Sequence, residues 1–281
     1  MPTIEFDQAK LAYCVVVGGE TAVLLHSSAG SGAQWRSLST QLADRFAVLA
    51  PDLYGYGASE PWPGRAAMTL ADEVAPLETL LARRPGPVHL VGHSYGGAVA
   101  LRLALQSPAR LRSLTLIEPV AFHLLRGGDA AQRALYAEVG ALADGVAGAL
   151  GSGAYWCAME RFVDYWNGAG AFNQMPLDRR RDLSRRIGSV ALNFTAVMAE
   201  PVARAAYRQI RVPTLLLAGA ASPPTTRRIV ALLAQTLPHA RKQVVGGAGH
   251  MLPLTHRGAV EAAITEHLTG QAGRSRDRLV A

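Results

Sequence analysis

The sequence predicts a three-layer α/β fold: a mostly parallel sheet with helices on both faces, and a helical cap inserted late in the chain. Short apolar, β-branched runs alternate with helical patterns, as expected when each strand is followed by a covering helix. The later runs are continuously apolar, which is typical of parallel strands buried on both faces. A length of 281 residues, of which 49% are hydrophobic, suffices for one such domain with an insertion.

The order of the elements follows from these runs. The predicted strands are residues 11–17, 22–25, 47–50, 88–91, 113–117, 214–218 and 242–245. The helical patterns between and after them predict core helices over residues 37–43, 70–82, 95–106, 225–237 and 256–268.

One long stretch interrupts the alternation. No convincing strand is found over residues 119–210, which are rich in Ala, Arg and Leu. A structureless stretch of this length is implausible in a compact domain. We therefore predict a helical cap over residues 119–210 and a core domain of residues 1–118 and 211–281. The cap is expected at the carboxyl edge of the sheet, where ligands bind in open α/β sheets.

The composition predicts a soluble cytoplasmic protein. No apolar run reaches the ~18 residues that a membrane-spanning helix needs. The N-terminal residues lack the basic region and apolar core of a secretory signal. Two cysteines, Cys14 and Cys157, are too few for a disulfide framework, and we expect them to be small buried hydrophobes. We therefore expect no membrane association and a reducing compartment.

The chain is basic, with a formal net charge of +7. A nucleic-acid-binding protein gathers such charge on one face, with aromatic residues between the basic ones. Here the arginines are mostly scattered, except for a cluster formed by residues 179–181 with Arg185 and Arg186, which we interpret as solvated helix surface. We expect no nucleic-acid partner, and an acidic substrate only if this cluster faces the active site.

The pentapeptide Gly92-His93-Ser94-Tyr95-Gly96 carries the most chemical information. It lies between a predicted strand and a predicted helix, where G-x-S-x-G is the pattern of a nucleophile elbow. A serine on so sharp a turn has strained backbone geometry, and the two glycines leave room for the chain to fold back. Ser94 is therefore predicted to be a nucleophile, with the following N–H groups directed at the same point.

A serine hydroxyl needs a base that takes its proton. His250 is the best candidate among the eight histidines, because it lies in a glycine-rich loop between the last predicted strand and the last predicted helix. Such a loop can carry an imidazole across the carboxyl edge of the sheet. We predict that His250 is the general base of Ser94.

Together with other segments, these residues resemble an α/β-hydrolase-fold enzyme over residues 11–268. The matching segments are residues 26–28 (His-Ser-Ser), Trp35, residues 52–59 (Asp-Leu-Tyr-Gly-Tyr-Gly-Ala-Ser), 92–96 and 247–250. The resemblance implies an oxyanion hole formed by the backbone N–H groups of Ser28 and Tyr95. It also implies a structural role for Asp52. Ser27 departs from the family pattern, which usually has a glycine at this position of the loop.

The acid of the triad is a second departure. The family usually places it in a Gly-x-x-Asp setting after the penultimate strand, where this chain has Gly219-Ala220-Ala221-Ser222. A neutral serine cannot stabilise an imidazolium. Glu118 ends the strand that follows the elbow helix, and some α/β-hydrolases, haloalkane dehalogenases among them, carry the acid on this strand. The resemblance therefore favours a triad of Ser94, His250 and Glu118, with a salt bridge or a helix cap as the alternative role for Glu118.

The resemblance implies a serine hydrolase that cleaves a carboxylic ester or thioester through an acyl-enzyme on Ser94. Hydrolysis of C–C bonds and acyl transfer to an acceptor other than water are alternatives at the same site. A slow or non-catalytic ligand receptor is the alternative from another class. No metal-binding motif or dinucleotide fingerprint is visible, so we expect no metal and no cofactor. A small ester-like substrate is expected in a pocket lined by Ser27, Trp35, Trp156, Phe162 and Trp166.

Overall fold

A computed structural model describes residues 2–16 and 18–276, with the side chains described as far as residue 270. The strands are β1 (Thr3–Phe6), β2 (Ala9–Val16), β3 (Glu20–Leu25), β4 (Phe46–Pro51), β5 (Val88–His93), β6 (Leu111–Ile117), β7 (Thr214–Gly219) and β8 (Ala240–Val245). The core helices are α1 (Arg36–Leu42), α2 (Leu70–Ala82) and α3 (Tyr95–Gln106) before the predicted cap, and α10 (Pro224–Thr236), α11 (Leu252–Thr255) and α12 (Arg257–Arg276) after it. Short 3₁₀ helices cover Gly32–Trp35, Pro108–Arg110 and Arg204–Gln209.

The strands of the described residues form one eight-stranded sheet in the order β1-β2-β4-β3-β5-β6-β7-β8. β2 pairs antiparallel with β1 and with β4, and the pairs from β4 across to β8 are parallel. The carboxyl ends of β3, β5, β6 and β7 therefore lie along one edge. The chain that leaves these ends builds the candidate site.

Helices α2, α3 and α10 cover one face of the sheet, and α1 and α12 cover the other. The sequence of β3 is one apolar run because both faces of the strand are buried. Val23 and Leu25 pack into the first core, whereas Ala22 and Leu24 pack into the second. Successive side chains of a strand point to opposite faces, so a strand covered on both sides is apolar throughout. The predicted three-layer α/β fold is confirmed.

The sequence pattern predicted most core elements closely, but it missed the strand β1 and the short helix α11. The predicted helices over residues 70–82 and 95–106 coincide with α2 and α3. Strand β1 was not predicted, because it has four residues that alternate polar and apolar and its pairing with β2 is a tertiary contact. Val17, the last residue of the first predicted strand, lies outside the described residues.

Between β6 and β7 the chain is helical. The helices are α4 (His123–Arg126), α5 (Ala130–Gly151), α6 (Tyr155–Asn167), α7 (Ala171–Gln174), α8 (Leu177–Ser184) and α9 (Ile187–Ala199). Asp129 begins α5 as its N-cap, accepting a hydrogen bond from the N–H of Gln132 at 2.8 Å. α9 packs against α3 and so joins this helical segment to the core. None of the described helices is both long and apolar enough to cross a membrane.

The expectation that both cysteines are buried is wrong, since Cys14 and Cys157 are exposed. Cys157 lies in the first turn of α6. That helix buries Ala158, Met159, Val163 and Trp166, which leaves Cys157 on the outward face. Cys14 lies on β2, where the strand's last residues are only partly covered.

Candidate active site

Ser94 occupies the sharp turn between β5 and α3. Its backbone has φ 55° and ψ −116°, a region that a residue other than glycine adopts only where the surrounding structure enforces it. Its N–H donates to the carbonyl of Ile117 at 2.9 Å, which fastens the turn to the end of β6. A side chain at Gly92 would collide with the backbone of Gly96, and one at Gly96 with the carbonyl of His26. Both glycines are therefore needed for the elbow.

The structure brings the three predicted triad residues into contact. The Nε2 atom of His250 lies 2.9 Å from the Oγ of Ser94. Its Nδ1 atom lies 2.7 Å from Oε2 of Glu118. All three side chains are buried, with Ser94 5% exposed, His250 1% and Glu118 0%. An imidazole bridging a hydroxyl and a carboxylate can take the proton of the hydroxyl while the carboxylate fixes its tautomer.

Glu118 is held as a carboxylate. Its Oε1 atom accepts a hydrogen bond from the N–H of Gly219 at 2.7 Å, so both oxygens are occupied. Burial opposes ionisation, but the hydrogen bond and charge of His250, together with the Gly219 N–H, hold the pKa of Glu118 below its usual value. Glu118 also has a positive φ of 43°, which turns its side chain from the end of β6 toward the loop after β7.

The loop of His250 is fixed from two sides. The ring of Trp166 stacks on the His250 imidazole with 4.1 Å between centroids and 25° between planes. The Nε2 atom of His93 donates to the carbonyl of His250 at 2.9 Å, and its Nδ1 accepts from the Nε2 of Gln34 at 3.2 Å. Burial and the nearby His250 lower the pKa of His93 to about 3, so this imidazole is neutral and acts as a structural link.

The oxyanion-hole candidates Ser28 and Tyr95 line the same inner cavity as Ser94. This cavity has a volume of about 20 Å³, close to the space of one water molecule. The remainder of its wall is mainly apolar and comes from α6, α9 and the segment after β6. The predicted donors and the nucleophile therefore share one small chamber. Their role as an oxyanion hole remains a prediction.

The loop after β3 accommodates Ser27 without strain at that residue. The N–H and Oγ of Ser27 both donate to Oε1 of Gln34, at 3.1 and 3.0 Å. The residue of this loop that adopts a left-handed backbone conformation is Ala29, with a φ of 58°. Asp52 accepts from the N–H groups of Gly32 and Ala58, at 2.7 and 2.9 Å, which confirms its structural role.

Asn193 on α9 is a site residue that the sequence analysis missed. Its Oδ1 atom accepts hydrogen bonds from the Oγ of Ser28 at 2.7 Å and from the hydroxyl of Tyr56 at 2.6 Å. Asn193 is 3% exposed and lines the inner cavity beside Ser94. A lone amide on the buried face of an otherwise apolar helix is the signal that could have identified it.

We expect Asn193→Ala to lower kcat about tenfold, because Ser28 loses the partner that fixes its loop beside the nucleophile. The substitution should change kcat more than KM, because the affected contact orients the reacting centre. Steady-state kinetics with a chromogenic acetate ester measure both constants. Asn173→Ala, at an exposed position of the same helical segment, is the control. Equal kcat in the two variants would contradict the role of Asn193.

Glu73 on α2 is a second residue whose role the sequence did not reveal. It is fully buried, its Oε2 accepts from the hydroxyl of Tyr95 at 2.9 Å, and its Oε1 accepts from the N–H of Tyr54 at 3.0 Å. It therefore fixes the ring of the residue that follows the nucleophile. Burial is the main reason why the pKa of Glu73 is raised to about 7.

This raised pKa predicts a dependence of stability on pH. Between about pH 4.5 and 7 the folded protein holds a proton on Glu73 that the unfolded chain releases. The stabilisation that this bound proton gives the folded protein is fully present below about pH 4.5 and is lost as the pH rises through 7. A shift of this size corresponds to about 3 kcal/mol. Glu73→Gln keeps a neutral hydrogen-bonding group at every pH, so its free energy of unfolding should exceed that of the wild type above pH 7.

Urea unfolding of both proteins at several pH values between 4.5 and 8 measures this difference. As the pH rises, the free energy of unfolding of the variant should increasingly exceed that of the wild type. The other titrating groups contribute equally to both proteins, so their effects cancel in the difference. Glu5→Gln, which changes a carboxylate that is 77% exposed, should show no such trend. If the difference in free energy of unfolding between the wild type and Glu73→Gln stays constant with pH, Glu73 is not protonated in the folded protein.

A second, outer cavity of about 460 Å³ adjoins the inner one at Ser94. It shares Ser28, Ser94, Phe162 and Trp166 with the inner cavity, and it adds His250. The rest of its wall comes from the loop after β3, from α6 and α8, and from the residues after His250. Of the predicted pocket residues, Ser27, Phe162 and Trp166 line it.

The structure places the two other predicted pocket residues elsewhere. Trp35 is 2% exposed and packs with Leu38 and Ile264 in the core on the opposite face of the sheet. The indole of Trp156 packs against the ring of Phe172 and under the guanidinium of Arg180. Both side chains are used to pack a core, so neither lines a cavity at Ser94. The expectation for Trp35 and Trp156 is corrected accordingly.

Comparison with known proteins gives concordant matches. A family model described as alpha/beta hydrolase fold matches residues 22–257. The pimeloyl-acyl-carrier-protein methyl ester esterase of Chromobacterium violaceum is 30% identical over 256 residues, which cover 90% of this chain and 96% of that enzyme. The crystal structure of a hydrolase from Pseudomonas aeruginosa is 26% identical with a TM-score of 0.72, covering 95% of this chain and 97% of that one.

Other curated relatives match over a part of their length. The dihydrolipoyllysine-residue acetyltransferase component of the acetoin cleaving system of Cupriavidus necator is 37% identical over 121 residues. That match covers 42% of this chain and 32% of the relative.

Proposed function

The chain belongs to the α/β-hydrolase fold family and is a hydrolase, and we propose that it cleaves a carboxylic ester or thioester through an acyl-enzyme on Ser94. The observation that carries this proposal is the continuous contact from Ser94 through His250 to Glu118, with 2.9 and 2.7 Å between the bonded atoms. The esterase from Chromobacterium violaceum supports an ester substrate, since it matches over nearly its whole length.

The first half of the reaction transfers the acyl group to the enzyme. The Oγ of Ser94 attacks the carbonyl carbon while Nε2 of His250 takes its proton. Negative charge develops on the carbonyl oxygen, where the N–H groups of Ser28 and Tyr95 stabilise it. Losing one such donor typically costs about 2.7–4 kcal/mol of barrier. The bond to the leaving oxygen or sulfur then breaks, and His250 returns the proton to the leaving group.

The second half releases the acid. Water takes the place of the leaving group, His250 accepts one of its protons, and the hydroxide attacks the acyl carbon. The proton returns to the Oγ of Ser94 as the acyl bond breaks. Glu118 keeps the Nδ1–H tautomer of His250 in both halves, because its Oε2 atom accepts that hydrogen.

Labelling with a fluorophosphonate probe tests this proposal. The probe phosphonylates a serine only when a base activates it and an oxyanion hole receives the developing charge. We expect stoichiometric labelling of the native protein, and peptide mapping should place the label on Ser94. Native protein that stays unlabelled, or carries the label on another residue, would contradict the proposal.

The alternatives predict different outcomes of one substrate panel. Nitrophenyl esters, an acyl thioester and a vinylogous diketone should be compared by kcat/KM on the same preparation. Higher rates with the diketone would indicate C–C bond hydrolysis, and products that require an added nucleophile would indicate acyl transfer. Labelling without turnover of any substrate would indicate a receptor.

A further inference from the structure

The two cavities that meet at Ser94 differ in size and in the residues that line them. The inner one, of about 20 Å³, has a mainly apolar wall and includes the oxyanion-hole candidates. The outer one, of about 460 Å³, includes His250 and the charged side chains of Arg179 and Arg186. A substrate bound at Ser94 must place its acyl part on one side and its leaving group on the other. The geometry of proton transfer decides which is which.

The leaving group belongs in the outer cavity. His250 must donate a proton to the departing oxygen or sulfur, and a proton donor has to lie within hydrogen-bond reach of its acceptor. His250 lines the outer cavity and is absent from the wall of the inner one. The acyl group therefore extends into the inner cavity, where the volume suits a short chain such as acetyl.

The wall of the outer cavity carries positive charge. Arg179 and Arg186 of the helical segment line it, and no Asp or Glu is among the residues of its wall within the described chain. Both guanidinium groups lie near the carboxylate of Asp182, at 3.6 and 2.8 Å, so one carboxylate is shared between two cations. Arg186 also donates to the carbonyl of Ala29 at 2.8 Å, which fixes it beside the loop after β3. One positive charge remains uncompensated at the cavity.

From this we propose that the substrate is a short-chain acyl ester or thioester whose leaving alcohol or thiol carries an anionic group, which binds Arg179 and Arg186. The proposal rests on the serine hydrolase function and names its substrate class. A guanidinium donates two parallel hydrogen bonds to a carboxylate or a phosphate, so either group satisfies the site. The arginine cluster that the sequence analysis interpreted as solvated surface thus has two members at the active site.

Matched acetate esters test the proposal. The first is the acetate of a nitrophenol with a carboxylate on its ring, and the second is its neutral carboxamide analogue. A third, with a phosphonate at the same ring position, distinguishes the two kinds of anion. We expect kcat/KM to be at least about tenfold higher for one or both anionic esters than for the carboxamide. The preference should shrink as salt is added, because the arginines are partly exposed.

Variants assign the preference to the two arginines. In Arg179→Gln and Arg186→Gln the ratio of anionic to neutral kcat/KM should fall toward one, and in the double variant it should reach one. The ratio is the readout because the loss of the Arg186 contact to Ala29 lowers both rates together. Arg185→Gln removes the same charge at a neighbouring, exposed residue that lines neither cavity, and its ratio should equal that of the wild type.

The length of the acyl chain gives an independent readout. With a constant leaving group, acetate should be cleaved faster than octanoate by kcat/KM, since the inner cavity holds little beyond a methyl group. For the leaving group, an anionic-to-neutral kcat/KM ratio of one or below in the wild type would contradict the proposal. A ratio that is unchanged in the double variant would contradict it as well. Faster cleavage of octanoate would overturn the placement of the acyl group.

Different results would refute the anionic leaving group and the serine hydrolase function. Hydrolysis of the neutral acetate without preference for the anionic esters refutes this inference and leaves the serine hydrolase in place. Absence of turnover with every ester, together with absence of fluorophosphonate labelling, refutes the proposed function itself.

Discussion

Ser94→Ala should abolish turnover, with kcat lower by roughly 10⁵–10⁶-fold if any activity is detectable. The substitution removes the atom that attacks the substrate, and no other hydroxyl contacts Nε2 of His250 within the described residues. The fold should persist, because alanine adopts the strained backbone of this turn no less readily than serine. Steady-state kinetics with a chromogenic ester, together with thermal unfolding, measure both effects.

Ser152→Ala is the control for this variant. Ser152 is exposed at the end of α5 and lines neither cavity, so its removal should leave kcat and KM unchanged. A Ser94→Ala protein that keeps more than about one per cent of the wild-type kcat would mean that the reaction proceeds without a covalent serine intermediate.

Glu118→Gln should lower kcat by about 10⁴-fold. The amide oxygen can still accept from Gly219, but the amide nitrogen then faces the Nδ1 atom of His250. The imidazole adopts the tautomer that accepts there, which puts its proton on Nε2. That nitrogen can no longer take the proton of Ser94. Fluorophosphonate labelling should slow in parallel, whereas thermal stability should change far less than activity.

Ser222 offers a second position for the acid. It stands in the loop whose Gly219 N–H already contacts Glu118, and it is 3% exposed. Ser222→Asp in the Glu118→Gln background should restore part of the lost activity, because the carboxylate would then approach the same imidazole from the neighbouring strand. A Glu118→Gln enzyme at nearly the wild-type rate would remove Glu118 from the mechanism.

The core of the fold was predictable because its signals are local. Strands such as β3, buried on both faces, need continuous apolar runs, and α2 and α3 follow directly from their periodicity. Ser94 and His250 were predicted from their loops at the carboxyl edge of the sheet, where the parallel strands end together. Glu118 was favoured by the resemblance to α/β-hydrolases that carry the acid on the strand after the elbow helix.

The roles of the other site residues depend on tertiary contacts between distant parts of the chain. Asn193 meets Ser28 across 165 residues, and this partner gives the amide its place beside the nucleophile. Trp35 and Trp156 are as apolar as Trp166, yet the way their helices pack directs them into cores. Glu73 is a helical carboxylate outside the triad, and its contact with Tyr95 joins α2 to the elbow helix, which only the structure shows.

Detection of the acyl-enzyme tests most directly whether Ser94 forms a covalent intermediate. Native protein is mixed with an excess of a nitrophenyl acetate, quenched with acid during turnover, digested and analysed by mass spectrometry. We expect an acetyl group on the peptide that contains Ser94, preceded by a burst of nitrophenol that equals the enzyme concentration. Continued turnover with no acyl group on Ser94, or with the acyl group on a different residue, would contradict this intermediate.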